Sequence, residues 1–147
     1  MKVVLQRVKK AEVAVNEEIV GSITDGFVVF LGITHTDTEV EADKLKEKIL
    51  KLRLFSGEGS ESFMEQSVVD IGGACLVVSQ FTLYGNCKKG TKPSFTDAAR
   101  PEHARPLYEY FVETLKESGL SVATGQFGEH MEVSLINDGP VTLILES

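Results

Sequence analysis

The distribution of strand-like runs along the chain limits its fold more than any other feature. Lys2 to Lys10, Glu12 to Ile23 and Gly26 to Thr34 read as strands at one end, and Leu120 to Thr124, His130 to Ile136 and Val141 to Glu146 at the other. Val13 and Val15 alternate with polar neighbours, and VNEEIV has the look of a hairpin. Phe27 to Leu31 is a continuous apolar run, as expected of a strand buried on both faces. Between the two groups lie two helical periodicities and one further strand, Ala74 to Tyr84. The order βββ–α–β–α–βββ has no sustained βαβ alternation. It predicts an α+β domain: a largely antiparallel, barrel-like β-sheet with two packed helices.

The helices carry their own signals. Thr38-Glu-Val-Glu41 fits a capping box, and Ala42, Leu45, Ile49 and Leu52 follow at helical spacing, to an end near Leu54. Ser56 to Ser62 is a loop by composition. The second helix is expected from about Pro101 or later to Ser118, with Leu107, Tyr108, Phe111, Val112 and Leu115 on its apolar face and Gly119 just past its end. Pro106 requires a late start or a bend.

At 147 residues the chain is expected to form one domain, 1–147. No run approaches the ~20 apolar residues of a membrane span, and the N-terminus reads as a strand and not as a signal peptide. No membrane association and a cytoplasmic location are therefore expected. Two cysteines, Cys75 and Cys87, are too few for a disulfide framework, and Cys75 sits in an apolar run as a core residue would. His35, His103 and His130 are isolated and no Cys/His spacing suggests a zinc site, so no structural metal is expected; no cofactor is expected either. A net charge of −7 argues against broad non-specific nucleic-acid binding but permits a local basic patch.

Three stretches have polar or aromatic residues where chemistry is conceivable. In Leu76-Val-Val-Ser-Gln-Phe-Thr-Leu-Tyr84 an apolar strand abruptly presents Ser79, Gln80 and Thr82. If the strand continues, alternation puts Gln80, Thr82 and Tyr84 on one face. The plain reading, favoured from pattern alone, is that these groups bond to neighbouring loops or meet water. No G-x-S-x-G elbow supports a Ser–His–Asp site. Gly85 to Ser94 is a basic loop with Lys88, Lys89 and Lys92 but without Walker spacing. It is either a solvated loop or a phosphate contact, since screening confines distant charges to about 10 Å. In Thr124-Gly-Gln-Phe-Gly-Glu-His-Met131, Phe127 lies between two glycines. Packing is the commoner role for such a residue, and stacking on a base is the other.

A fourth stretch, SLINDGPVTLILE from Ser134 to Glu146, sets Asn-Asp-Gly-Pro between two apolar runs. Asn-Asp-Gly alone suits a hairpin turn, and the proline is surplus to it. With Gln6-Arg-Val8, Ser79-Gln-Phe-Thr82, Lys92-Pro-Ser-Phe95 and Asn137-Asp-Gly-Pro-Val-Thr142 in this order, the chain resembles the D-aminoacyl-tRNA deacylases (D-tyrosyl-tRNA deacylase family) over essentially its full length. SQFTLY and NDGPVT together are the specific pair.

The resemblance implies a homodimeric hydrolase that cleaves the ester of D-aminoacyl-tRNA, releasing D-amino acid and tRNA, with glycine esters also admitted. In this family a cis Gly-Pro peptide projects from one subunit into the active site of the other, and here it corresponds to Gly139-Pro140, braced by Arg7. Its carbonyls would form a wall against the L side chain, selecting by exclusion. Ser79, Gln80, Phe81 and Thr82 correspond to the catalytic segment. Backbone N–H groups near Phe81 and Thr82 would hold the oxyanion, and the RNA 2′-OH would assist water. The resemblance places the terminal adenosine near Phe127 and Met131, and the tRNA phosphates near Lys88 and Lys89. Phe63-Met-Glu-Gln-Ser-Val68 departs from the family's Lys-Met-Asn-Leu-Ser-Val, and Lys92 stands where arginine is common. These departures bear on peripheral contacts. The alternative is a non-catalytic dimeric nucleic-acid-binding module of the same fold, and a conventional esterase with a Thr82 or Ser79 nucleophile is a further rival.

Overall fold

A computed structural model describes residues 1–57 and 64–147. Most of the loop expected from Ser56 to Ser62, and the departure at Phe63, lie outside the described residues. Among the described residues the elements are β1 (Lys2–Val15), β2 (Glu18–Ile23), β3 (Gly26–Gly32), α1 (Glu39–Lys51), β4 (Arg53–Phe55), β5 (Gln66–Ser67), β6 (Ala74–Ser79), α2 (Pro101–Glu117), β7 (Ser121–Thr124) and β8 (Glu132–Glu146), with a 3-10 turn at Phe81–Tyr84. No helix among the described residues is long and apolar enough to cross a membrane.

The main sheet runs β2-β1-β3-β6-β7, with β8 on β1. The β1 pairings with β2, β3 and β8 are antiparallel, and β3–β6 and β6–β7 are parallel. The α+β class and the barrel-like, largely antiparallel sheet therefore hold. The sheet curls until β2 approaches β7. A Cβ on Gly21 would lie 2.5 Å from the Thr124 carbonyl oxygen, so this seam is open only to glycine.

Several boundaries differ from expectation, and each has a local cause. The first two expected strands divide at Asn16-Glu17 and not near Ala11, because β1 continues to Val15. Asn16 and Glu17 have φ of 51° and 68°, the left-handed pair of a two-residue hairpin. The first helix stops at Lys51, since Leu52 is extended and Arg53–Phe55 pairs with β5. Thr38 caps α1 as expected: its Oγ1 accepts from the Val40 amide at 3.2 Å, and Glu41 Oε2 accepts from the Thr38 amide at 3.0 Å. Pro106 lies inside α2 on its exposed side, two residues past Ala104, whose amide donates the first i→i−4 bond, so the helix runs on past it without the bond that residue 106 would donate to the Glu102 carbonyl.

The two C-terminal runs were expected as separate strands around a turn. They form one strand, β8, because both pair antiparallel with the same neighbour, β1. The pairing jumps from Gln6↔Thr142 to Val8↔Asn137, so residues 138–141 bulge out opposite Arg7.

Two apolar clusters result. One lies between the sheet and the helices, around Leu5, Phe27, Leu45, Cys75, Tyr108 and Phe111. The other lies inside the curl of the sheet, around Val8, Val13, Val28, Leu76 and Val78. β3 serves both, which is why Phe27, Val28 and Val29 are all fully buried. Cys75 is buried as expected, and burial pushes its thiol up to about 12, so it stays protonated and inert.

Candidate active site

β6 ends at Ser79, and the chain then turns instead of continuing as a strand. Gln80 remains tied to the sheet through its amide, which donates to the Leu31 carbonyl at 2.8 Å. Phe81–Tyr84 follows as a 3-10 turn, so the expected alternation of Gln80, Thr82 and Tyr84 on one strand face does not occur. Four residues that would have lain flat are wound into one turn. Leu83 N donates to the Gln80 carbonyl at 3.2 Å, the first bond of this turn. The amides of Phe81 and Thr82 precede it and have no acceptor among the described residues, as at any helix start. Gln80 provides no side-chain cap. Its Nε2 instead donates to Thr82 Oγ1 in a short contact.

Beside this turn is a cavity of about 530 Å³. Its lining brings together Ser79, Gln80 and Phe81 with Phe127 and Met131, five residues singled out in the sequence from segments nearly fifty positions apart. Leu31, Val78, Phe95, Ala99, Ala104 and Val133 make most of its apolar wall, and Arg100 and His130 stand at it as well. Phe81 and Phe95 meet edge to face, with centroids 5.2 Å apart. A space of this size with a few convergent polar groups is the usual form of a small-ligand site.

Phe127 is not held out into solvent. Its ring packs 5.6 Å from that of Tyr108, a core residue, and the Arg105 guanidinium covers it at 4.9 Å. Arg105 Nη2 also donates to the Phe127 carbonyl at 3.3 Å. Tyr108 is in turn fixed by donating its hydroxyl to the Val77 carbonyl at 2.9 Å, and burial pushes that phenol up to about 12. Sequence reasoning missed Arg105. The signal was present only as a charged residue on α2 one turn from Tyr108, which has no special pattern.

Gly139, Pro140, Arg7, Lys88, Lys89 and Thr82 do not line this cavity. Lys88 and Lys89 are exposed in a loop closed by two bonds between Asn86 and Ser94, of 2.7 and 3.0 Å. Gly139 and Pro140 form the exposed tip of the β8 bulge, and the peptide between them is cis. Gly139 has φ +129°, and a Cβ there would press on Val141 at 2.7 Å and on Arg7 Nη2 at 3.1 Å. Arg7 is 8% exposed. Its Nε lies 3.1 Å from both the Asp138 carbonyl and the Asp138 carboxylate, and its Nη1 donates to the Leu54 carbonyl. Arg7 thus joins the bulge to β4, and its planar fork suits two carbonyl acceptors. No group of three or more His, Cys, Asp or Glu among the described residues is placed to hold a metal.

The model for the family described as D-Tyr-tRNA(Tyr) deacylase matches residues 4–146. A protein named D-aminoacyl-tRNA deacylase from Halalkalibacterium halodurans is 58% identical over 147 residues, covering 100% of this chain and 99% of that protein. Another of the same name from Thermus aquaticus is 57% identical, over 100% of this chain and 95% of that protein. A solved structure titled c-Myc DNA Unwinding Element Binding Protein superposes with a TM-score of 0.93 at 42% identity, over 100% of this chain and 99% of that one. With the fold, the cavity and both marker motifs in place, the chain belongs to the D-Tyr-tRNA(Tyr) deacylase family of hydrolases.

Proposed function

We propose that this enzyme removes D-amino acids from tRNA by holding the aminoacylated 3′ end in the cavity beside Ser79–Phe81. One observation carries the reading. The acceptorless amides of Phe81 and Thr82 lie at the turn that borders an apolar cavity of about 530 Å³. An ester carbonyl placed there gains negative charge as water attacks, and preformed N–H donors stabilise it without reorganising.

Thr82 is a poor nucleophile in this arrangement. Its hydroxyl accepts from the Gln80 amide nitrogen, which has no basicity with which to take the threonine proton. Water is then the nucleophile, and the RNA 2′-OH is the group nearest the ester that can relay its proton. Ser79 and Gln80 shape the pocket, and Phe127 and Met131 receive the terminal adenosine. Lys88 and Lys89 meet the neighbouring phosphates.

Chirality is set by Gly139-Pro140 of a second subunit reaching the cavity of the first. The exposure of this tip and its place outside the chain's own cavity support a role across a homodimer. Carbonyls fixed beside Cα exclude an L side chain, and glycine, having none, passes. The products are free D-amino acid and tRNA, and the cytoplasm, where tRNA is charged, is the place of action.

The deciding experiment follows purified protein with D-Tyr-tRNA and with L-Tyr-tRNA, alongside sedimentation to give the oligomeric state. Rapid loss of the D ester with the L ester spared, from a dimer, supports the reading. Loss of both esters, or a monomer with full discrimination, overturns the gate. A second reading is favoured by one observation, the DNA-associated name of the 42% identical structure: a nucleic-acid-binding module without turnover. Retention of uncharged tRNA with neither ester cleaved would establish it.

A further inference from the structure

The β8 bulge has a second fastening, separate from Arg7. Asn137 stands at its entrance and Thr142 at its exit, where regular pairing with β1 resumes. Asn137 Oδ1 accepts the Val141 amide at 2.9 Å, and Asn137 Nδ2 donates to Thr142 Oγ1 at 3.0 Å. On the neighbouring strand Gln6 Nε2 donates to the same Thr142 oxygen at 3.1 Å. One amide side chain therefore spans the neck of the bulge and uses both of its polar ends.

The Val141 amide has left the β1 ladder because the register jumps there. Among the described residues its acceptor is Asn137 Oδ1, and without that bond the first residue after Pro140 loses its polar restraint. The Val141 side chain is buried, so the neck is pinned to the core from below and by Asn137 from within. Arg7 holds the other limb, through the Asp138 carbonyl at 3.1 Å. The two limbs of the bulge thus have independent restraints, and the Gly139-Pro140 tip lies between them.

We infer that Asn137 and Thr142, with Gln6 behind them, are positioning residues that set where the Gly139-Pro140 carbonyls point, and so set discrimination between D and L esters. The inference rests on the chirality reading above. A wall made of main-chain oxygens excludes a side chain only while its position varies by less than the difference between the two enantiomers' groups. A neck that flexes widens the opening without removing the catalytic turn.

The test compares Asn137→Ala, Thr142→Val, Thr142→Ser and Arg7→Ala with the unaltered enzyme, measuring kcat/KM on D-Tyr-tRNA and L-Tyr-tRNA and amide exchange at Val141. Asn137→Ala and Thr142→Val should lower the D-over-L ratio at least tenfold, chiefly by raising L cleavage, with D cleavage within threefold. Val141 exchange should rise at least tenfold in Asn137→Ala. Thr142→Ser keeps the shared oxygen and should restore the ratio, which a loss of general stability would not do. Thr142→Val changes shape little, so it answers the question even where Asn137→Ala does not fold. An unchanged ratio in folded Thr142→Val and Asn137→Ala, with Arg7→Ala relaxed, would defeat the neck restraint and leave the gate standing. An unchanged ratio in all three would defeat both.

Discussion

The guanidinium of Arg105 lies over the ring of Phe127, 4.9 Å from its centroid, and the same side chain donates to the Phe127 carbonyl. Phe127 is thereby held by two residues of α2, Arg105 from outside and the buried Tyr108 from inside. Arg105→Ala should lower stability by about 0.5–1 kcal/mol, the usual size of an exposed cation–π contact. Because Phe127 lines the cavity, KM for D-Tyr-tRNA should rise about threefold to tenfold with kcat little changed. Steady-state kinetics separate the two, and a fall in kcat alone would place Arg105 elsewhere in the mechanism.

Thr82→Ala should retain activity within about tenfold of the unaltered enzyme, because the oxyanion donors proposed above are main-chain amides and persist in the variant. No acyl-enzyme should accumulate in rapid-quench experiments on either protein. Loss of several orders of magnitude, or a trapped ester on Thr82, would restore the nucleophile reading.

Tyr108 links stability to alkaline pH. Its hydroxyl is buried and donates to Val77, and burial raises its pKa from 10.0 to about 12. The raised value means that the folded state binds this proton more tightly than the unfolded state. The contribution is complete below pH 10 and is lost as pH rises through about 12. Tyr108→Phe should cost about 1 kcal/mol near neutrality. It should also flatten part of the decline between pH 10 and 12, leaving the parts due to Cys75, Tyr84 and Tyr110, whose protons burial likewise holds. Urea midpoints across that range give the comparison.

Gly21→Ala tests the closure of the sheet. The added methyl would lie 2.5 Å from the Thr124 carbonyl, a backbone atom that cannot rotate away. The loss should be about 1–3 kcal/mol, as for overpacking generally. Thermal unfolding measures it, and a neutral result would mean that β2 and β7 part more easily than their packing indicates.

The periodicities of α1 and α2, the Thr38 capping box, the doubly buried β3 and the α+β class follow from residue order alone, because helix and strand patterns are local. The family, too, is legible in the sequence through SQFTLY and NDGPVT. What the sequence could not decide is where patterns yield to partners. Asn-Asp-Gly-Pro has the chemistry of a hairpin turn, yet the flanking runs both pair with β1, and a bulge replaces the turn. Ser79 to Tyr84 reads as a strand, yet β6 ends where its neighbour β3 ends and the chain winds instead. Arg105 over Phe127, and Asn137 across the neck to Thr142, join groups whose meeting depends on how elements dock. Local propensity determines which segments are helix or strand. Long-range pairing and burial determine register, and register puts the end of β6 and Phe81 at the cavity with Phe127 and Met131.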